Sequence, residues 1–308
     1  MQRYILTRLA YSVLVLFAVS IIVFALARIS GDPADALVPL DASLEQRAAL
    51  RRVWGLDKSY PAQYITFVGN AFKGKFGDSF RWSDSTAMGM VMKRFPNTLM
   101  LAGVAIGISL IIAVPIGVLS AVRKDTPFDI VGKVFALLGQ ATPPFWLGIM
   151  LIWGFAVKAD LFPTGGKGGL NTLILPAITL GWFQVAALMR LVRSAMLEVL
   201  DSEYVKLARV KGIAEWRVVW KHCLRNAAIP PLTLFGILAA NVMTGAIVTE
   251  TVFSWPGTGL LAVDAIRSRD YPVVQAVVVL FACIHLGMNL LVDILYAYLN
   301  PRVRYGQG

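Results

Sequence analysis

RLVRSAMLEVLDSEYVKLARVKGIAEWRVVWKHCLR, residues 190 to 225, packs eight Lys or Arg into 36 residues and is flanked on both sides by stretches with no charge at all. Before it, 22 uncharged residues separate Lys167 from Arg190; after it, 24 separate Arg225 from Glu250. Four more charge gaps share this length: 19 residues from Arg8 to Arg28, 28 from Arg94 to Arg123, 24 from Lys133 to Lys158 and 22 from Asp270 to Asp293. A helix rises about 1.5 Å per residue, so about 20 such residues cross a hydrocarbon layer of about 30 Å. With 57% hydrophobic and 15% charged residues, the chain reads as an all-α integral membrane protein with six transmembrane helices.

Cation placement sets the expected orientation. Two Lys or Arg precede the first span, ten fall between Arg28 and Arg94, and the later segments hold three, two, eight, two and two. With the N-terminus inside, inside segments hold 15 and the two short outside loops four. The remaining ten sit in a 67-residue loop, too long for its charges to steer topology. The chain therefore reads N-in and C-in. The net charge of +11 then reflects orientation and contact with lipid headgroups, and calls for no nucleic-acid partner. The expected layout is a cytoplasmic tail over 1–8, a first helix over 9–27, a folded extracytoplasmic loop over 28–95, a five-helix core over 96–300 containing the cytoplasmic loop 190–225, and a cytoplasmic tail over 301–308. Ala25-Leu26-Ala27 resembles a signal-peptidase site, but 19 apolar residues exceed a signal-peptide core and favour a retained anchor.

Several motifs lose their functional reading in context. Gly69-Asn-Ala-Phe-Lys-Gly74-Lys75 has phosphate-loop spacing, yet Phe76 stands where a magnesium-binding hydroxyl belongs. Gly257-Thr-Gly259-Leu-Leu-Ala262 matches a loose dinucleotide fingerprint with no strand before it. Cys223 and Cys283, with only His222 and His285, form no metal cluster. A membrane-embedded enzyme would need a denser set of nucleophiles or ligands. A stand-alone secondary transporter would be expected to show repeated halves or an ion-coupling site. The chain is read as no enzyme, with no cofactor of its own.

In the long loop, Ser43-Leu-Glu-Gln46 reads as a capping box opening a helix toward Trp54 that stops at Gly55, and Pro61 as the first turn of a second helix. The loop suits either a folded cap or a docking surface. In the basic loop, Leu197, Leu200, Tyr204 and Leu207 fall on one helical face, and Arg217, Lys221 and Arg225 follow at i, i+4 beyond Gly212. Periodicity alone fits a partner-docking helix and a helix lying in headgroups equally well. Polar residues in spans mark a candidate path: Gln140 and Thr142 in the third, Asn241, Thr244 and Glu250 in the fifth, Gln275 and Asn289 in the sixth. Such residues also serve simply as interhelical hydrogen bonds. Pro143-Pro144 should kink the third span.

Glu203-Tyr-Val-Lys-Leu-Ala-Arg-Val-Lys-Gly212, followed by Val218-Val-Trp-Lys-His222-Cys-Leu-Arg-Asn226-Ala-Ala-Ile-Pro230, resembles the cytoplasmic loop of permease subunits of dipeptide and oligopeptide ABC importers. The resemblance runs nearly the whole length: Arg28-Ile-Ser-Gly31-Asp32-Pro33, with Ser30 where Pro is common; Trp54-Gly-Leu-Asp57; Gln63-Tyr64; Phe76-Gly-Asp-Ser79; Arg94-Phe-Pro-Asn-Thr98; Thr142-Pro-Pro-Phe-Trp146; Leu161-Phe-Pro163; Glu250-Thr-Val-Phe-Ser-Trp-Pro-Gly257; Asp270-Tyr-Pro272; Asn289-Leu-Leu-Val-Asp293; and Tyr296-Ala-Tyr-Leu-Asn-Pro-Arg302. Trp216 departs from the usual pattern. The resemblance implies a type I importer permease in the bacterial inner membrane. Its expected partners are a second homologous permease, one or two ABC ATPase subunits holding ATP and Mg, and an extracytoplasmic solute-binding protein. It assigns Glu203, Ala208, Lys211 and Gly212 to ATPase coupling. Dipeptides or short peptides are the expected cargo, with nickel chelates, haem or sugars as the alternatives within the class.

Overall fold

A computed structural model describes residues 2–29, 44–82 and 84–299. Its elements are α1 (Gln2–Ile29), α2 (Leu44–Val53), α3 (Tyr60–Ala71), α4 (Ala87–Val122), α5 (Pro127–Ala141), α6 (Pro144–Leu151, continued by a π-helix Ile152–Lys158), α7 (Asn171–Leu200), α8 (Glu203–Val210), α9 (Glu215–Ala227, with a π-helical middle), α10 (Ile229–Val252), α11 (Thr258–Arg267) and α12 (Tyr271–Leu299). Among the described residues four helices are long and apolar enough to cross a bilayer, and six spans result if each of two bent pairs is one. The expected third span is one such pair. α5 and α6 meet at 109°, because Pro143 and Pro144 force Thr142 into extended backbone at ψ 121°. This is a break, larger than the expected kink. The other pair bends by 59° between α9 and α10, where Pro230 and Pro231 open the second helix.

The chain divides into two compact units, Met1–Thr98 with Pro256–Gly287, and Leu99–Trp255 with the chain from Met288. In the first unit, Phe24 of α1 meets Tyr64 of α3 edge to face at 5.4 Å, and the Ser20 and Tyr64 hydroxyls are 2.7 Å apart. These contacts fold the long loop onto α1. α2 stops as the sequence predicts: Gly55 adopts φ 63° and the Leu56 N–H reaches back to the Arg51 carbonyl at 2.8 Å. The expected cap Ser43 lies outside the described residues. Three polar contacts join distant sequence motifs: the Ser79 hydroxyl donates to the Asp270 carboxylate, Asn97 Nδ2 donates to the Pro256 carbonyl at 2.7 Å, and the Thr98 and Thr258 hydroxyls meet at 2.9 Å. Around them, Ala87 and Val91 pack with Leu261, Ala265, Val273 and Val277.

In the second unit α7 is the central helix, with 67% of its apolar window buried. Close packing with α4 rests on small residues. A Cβ on Gly117 would meet the Met189 carbonyl at 2.8 Å, and one on Gly181 the Ala105 carbonyl at 2.9 Å. α7 runs ten residues past Arg190, the expected edge of the loop, before the chain turns at Asp201. One carboxylate secures its base. Asp129 of α5, fully buried, accepts from Arg193 Nε at 2.6 Å and Nη2 at 2.8 Å, and pairs with Lys133 Nζ at 2.9 Å.

Removing one member of such a buried pair strands the other charge, a loss of about 3–5 kcal/mol. Asp129→Ala should therefore lower the unfolding temperature of the purified chain well below wild type, and Asp129→Leu with Arg193→Met should recover most of the loss. Additive losses in a thermal-unfolding cycle would show that the pair does not act as a unit.

Candidate functional site

The basic loop folds into a compact foot beneath α7. Ser202 precedes α8, Glu203 occupies its first turn beside the helix's positive end, and Lys211 ends it. Gly212 closes the turn at φ 73°, with the Ile213 N–H bonded to the Ala208 carbonyl at 3.2 Å. A β-branched residue is strained at that φ, which is why this position takes Gly. Glu203, Ala208, Lys211 and Gly212 thus share one short helix and its closing turn.

The inner face of α8 is Val205, at 0% exposure, packed with Val118 of α4, Val192 and Met196 of α7, and Val218, Val219 and Cys223 of α9. Ala208 packs partly against the same cluster. Burying one valine contributes about 1.5–3 kcal/mol. The exposed pair of Lys206 with Glu203, at 2.8 Å, contributes about 0–1 kcal/mol. Apolar burial therefore fixes the foot, and the ion pairs trim it. Arg209 grips Glu215 with two bonds, at 2.7 and 3.2 Å, across the Gly212 turn. The guanidinium holds the Glu215 carboxyl below its ordinary range, so the clasp is complete at neutral pH and is lost as acid protonates the carboxylate.

The outer face of α8 is apolar and uncovered: Tyr204 is 43% exposed, Leu207 54% and Val210 84%. Trp216, 63% exposed, stands nearby in sequence with the Arg217 guanidinium 5.3 Å over its ring. This corrects the single helical face expected for Leu197, Leu200, Tyr204 and Leu207. The chain turns at Asp201-Ser202, so Leu197 and Leu200 end α7 and pack inward, whereas Tyr204 and Leu207 sit on α8 and face out. Arg217, Lys221 and Arg225 remain exposed along α9.

The described path residues fall in different surroundings. Gln140 lines a cavity of about 480 Å³ with Phe183, Ala187, Arg190, Ser194 and Leu238. The Thr142 hydroxyl is bound to the Leu138 carbonyl at 2.7 Å, and Thr142 is not on the cavity wall. Asn241 is exposed on α10, Glu250 is fully buried, and both have interaction partners. The Thr244 side chain lies outside the described residues. Gln275 lines a separate cavity in the first unit. Arg190 and Ser194 escaped the sequence reading because they were assigned to the loop. Asp129 and Arg193 escaped because each looked like an ordinary charge near a span end. Gln184, 3% exposed in α7 with its Oε1 unpartnered among the described residues, was legible as a polar residue within a charge gap. Among the described residues no group of His, Cys, Asp and Glu could hold a metal ion.

Comparison with known proteins agrees with this architecture. Residues 113–305 match the family described as binding-protein-dependent transport system inner membrane component, and residues 1–102 match its N-terminal companion. The oligopeptide transport system permease protein AppB of Bacillus subtilis is 38% identical, over 99% of this chain and 100% of its own. The dipeptide transport system permease proteins DppB of Lactococcus lactis and of Escherichia coli K12 are 36% and 35% identical, each over 99% of this chain and 100% and 99% of their own. In structure, the chain resembles one in a crystal structure of an amino acid ABC transporter with histidines. The TM-score is 0.55 at 13% identity, over 68% of this chain and 94% of that one, a likeness of fold alone. The chain belongs to the family of inner membrane components of binding-protein-dependent transport systems.

Proposed function

We propose that this chain is the membrane-spanning pore subunit of an ATP-driven importer of dipeptides or short oligopeptides, working with a second homologous permease, one or two ABC ATPase subunits and an extracytoplasmic solute-binding protein. The observation that carries the reading is the double duty of α7. Arg190 and Ser194 line the cavity, while Val192, Ala195 and Met196 on the same stretch anchor the foot that bears α8. A push on α8 is therefore delivered to a cavity-lining helix without an intervening flexible joint. The exposed apolar face of α8 is the surface offered to an ATPase, which supplies the ATP and Mg chemistry absent from this chain's role. Glu203, Ala208, Lys211 and Gly212 are its coupling residues. Gln140, with Arg190 and Ser194, lines the substrate path, and Thr142, Asn241, Thr244 and Glu250 are assigned to it from the sequence alone. The peptide cargo follows the relatives named for oligopeptide and dipeptide transport.

The proposed layout keeps 1–8, the foot over 201–225 and 301–308 in the cytoplasm, 9–27 as the first span, 28–95 outside, and the five remaining spans within 96–300; the loop expected from Arg190 starts only after α7 ends at Leu200. α9 stays with the cytoplasmic foot, and the fifth span begins at the α9–α10 bend.

Gly212→Val and Glu203→Lys should leave membrane insertion unchanged and reduce ATP-driven peptide uptake by at least about tenfold in liposomes holding the assembled transporter. Normal uptake by both variants would remove the coupling assignment. For topology, Phe72, 88% exposed, is the reporter. Phe72→Cys in a Cys223→Ala, Cys283→Ala background should react with an impermeant thiol reagent from the periplasmic side, and bound solute-binding protein should slow that reaction. Labelling from the cytoplasmic side alone would reverse the proposed orientation.

A further inference from the structure

The importer reading leaves unused a cavity of about 510 Å³ within the first unit, where the C-terminal end of α1 meets the turns after α2 and α3. Its size falls in the range of small-ligand pockets. Among the described residues Arg28, Arg52, Lys58 and Lys75 line it, against one acid, Asp78. Lys75 is the lysine of the phosphate-loop-like stretch. The structure removes any nucleotide reading of that stretch: it spans the C-terminal end of α3 and the turn after it, and the Lys73, Gly74 and Lys75 N–H groups are bonded to the carbonyls of Asn70, Ala71 and Asn70. Those donors are not free to cradle phosphates, but Lys75 itself stays on the cavity wall.

A second observation shows what else the occupant must bring. Gln63, 8% exposed, also lines the cavity, and its Nε2 donates to the carbonyls of Lys58 at 2.8 Å and Leu56 at 3.3 Å, both wall residues. Its Oε1 is buried with no donor among the described residues. A buried acceptor of this kind is costly unless a ligand supplies the hydrogen. Cations ask for a phosphate; Gln63 Oε1 and Asp78 ask for an N–H. The aromatic side chains of Phe24, Trp54, Phe67 and Phe80 supply apolar wall, with the Arg28 guanidinium 5.2 Å over the Phe24 ring.

We propose that this cavity binds the headgroup of an ethanolamine phospholipid, with its phosphate on Arg52, Lys58 and Lys75 and its ammonium directed to Gln63 Oε1 and Asp78. The place in the fold favours a lipid as the source. Phe24, Ala27 and Arg28 end the apolar helix Leu6–Ile29, where hydrocarbon gives way to headgroups. In the proposed topology this is the outer leaflet. The site would tie the cap to the membrane surface.

The test is equilibrium binding of an acyl-labelled fluorescent phosphatidylethanolamine to the full chain purified in detergent. Saturable binding is expected, weakened about tenfold or more by Lys58→Gln with Lys75→Gln. Lys73→Gln with Lys93→Gln, the same charge change off the cavity wall, should stay within about twofold of wild type, and Arg52→Gln repeats the test with a single exposed side chain. The phosphatidylcholine analogue, which has no N–H to donate, should bind about fivefold more weakly or worse. Equal losses in the two double variants, or equal binding of the two headgroups, overturns the proposal. Displacement by inorganic phosphate at concentrations matching the lipid would assign the site to a soluble phosphate and overturn the lipid assignment.

Discussion

Val205 is buried without residue in a cluster shared by α4, α7, α8 and α9, and the working part of this molecule depends on that contact. A polar loop between two spans has no reason to hold its shape unless its entropy cost is offset. Here the offset is apolar. Val118, Val192, Met196, Val218 and Val219 enclose Val205, so α8 cannot tilt away without exposing the cluster. The Asp129–Arg193 pair then fixes α7 against α5 at the same level. The result is a rigid foot with one apolar face turned outward.

A bilayer imposes a second constraint, because polar groups facing lipid have no water to fall back on. The molecule meets it in identifiable ways. The broken α5–α6 pair ends its first helix with Thr142, whose hydroxyl and N–H both bond to the Leu138 carbonyl. Ser109 bonds to the Ala105 and Gly181 carbonyls, at 2.7 and 3.2 Å, where α4 and α7 approach closely enough to require a glycine. Apolar side chains such as Leu14, Ile111 and Leu137 are exposed on the outer surface of their helices, as a hydrocarbon solvent allows.

Charge gaps made the spans legible, because a run of uncharged residues is a direct consequence of hydrocarbon solvation. They located the ends poorly. α7 continues beyond Arg190 since Arg190 lines a cavity and Arg193 is neutralised by Asp129, so neither charge meets lipid. Glycine signals transferred well: Gly55 and Gly212 close helices at positive φ, as their sequence contexts predict. Side-chain periodicity failed across Asp201-Ser202, where a two-residue turn splits a regular apolar spacing between two helices. The family motifs pointed to function more sharply than any single residue, and the structure explains part of that pattern. Ser79 touches Asp270 and Asn97 touches Pro256, so motifs far apart in sequence are halves of single contacts.

On this account the foot and α7 move as one body during transport. The direct measurement is the distance between spin labels at Lys206 of α8 and Asn171 at the start of α7, read by pulsed electron resonance in the assembled transporter with and without nucleotide. A single narrow distance, unchanged between the two states, is the predicted result. A broad distribution, or one that shifts with nucleotide, would show that α8 swings independently of the helices beneath which it is anchored, and would contradict the account.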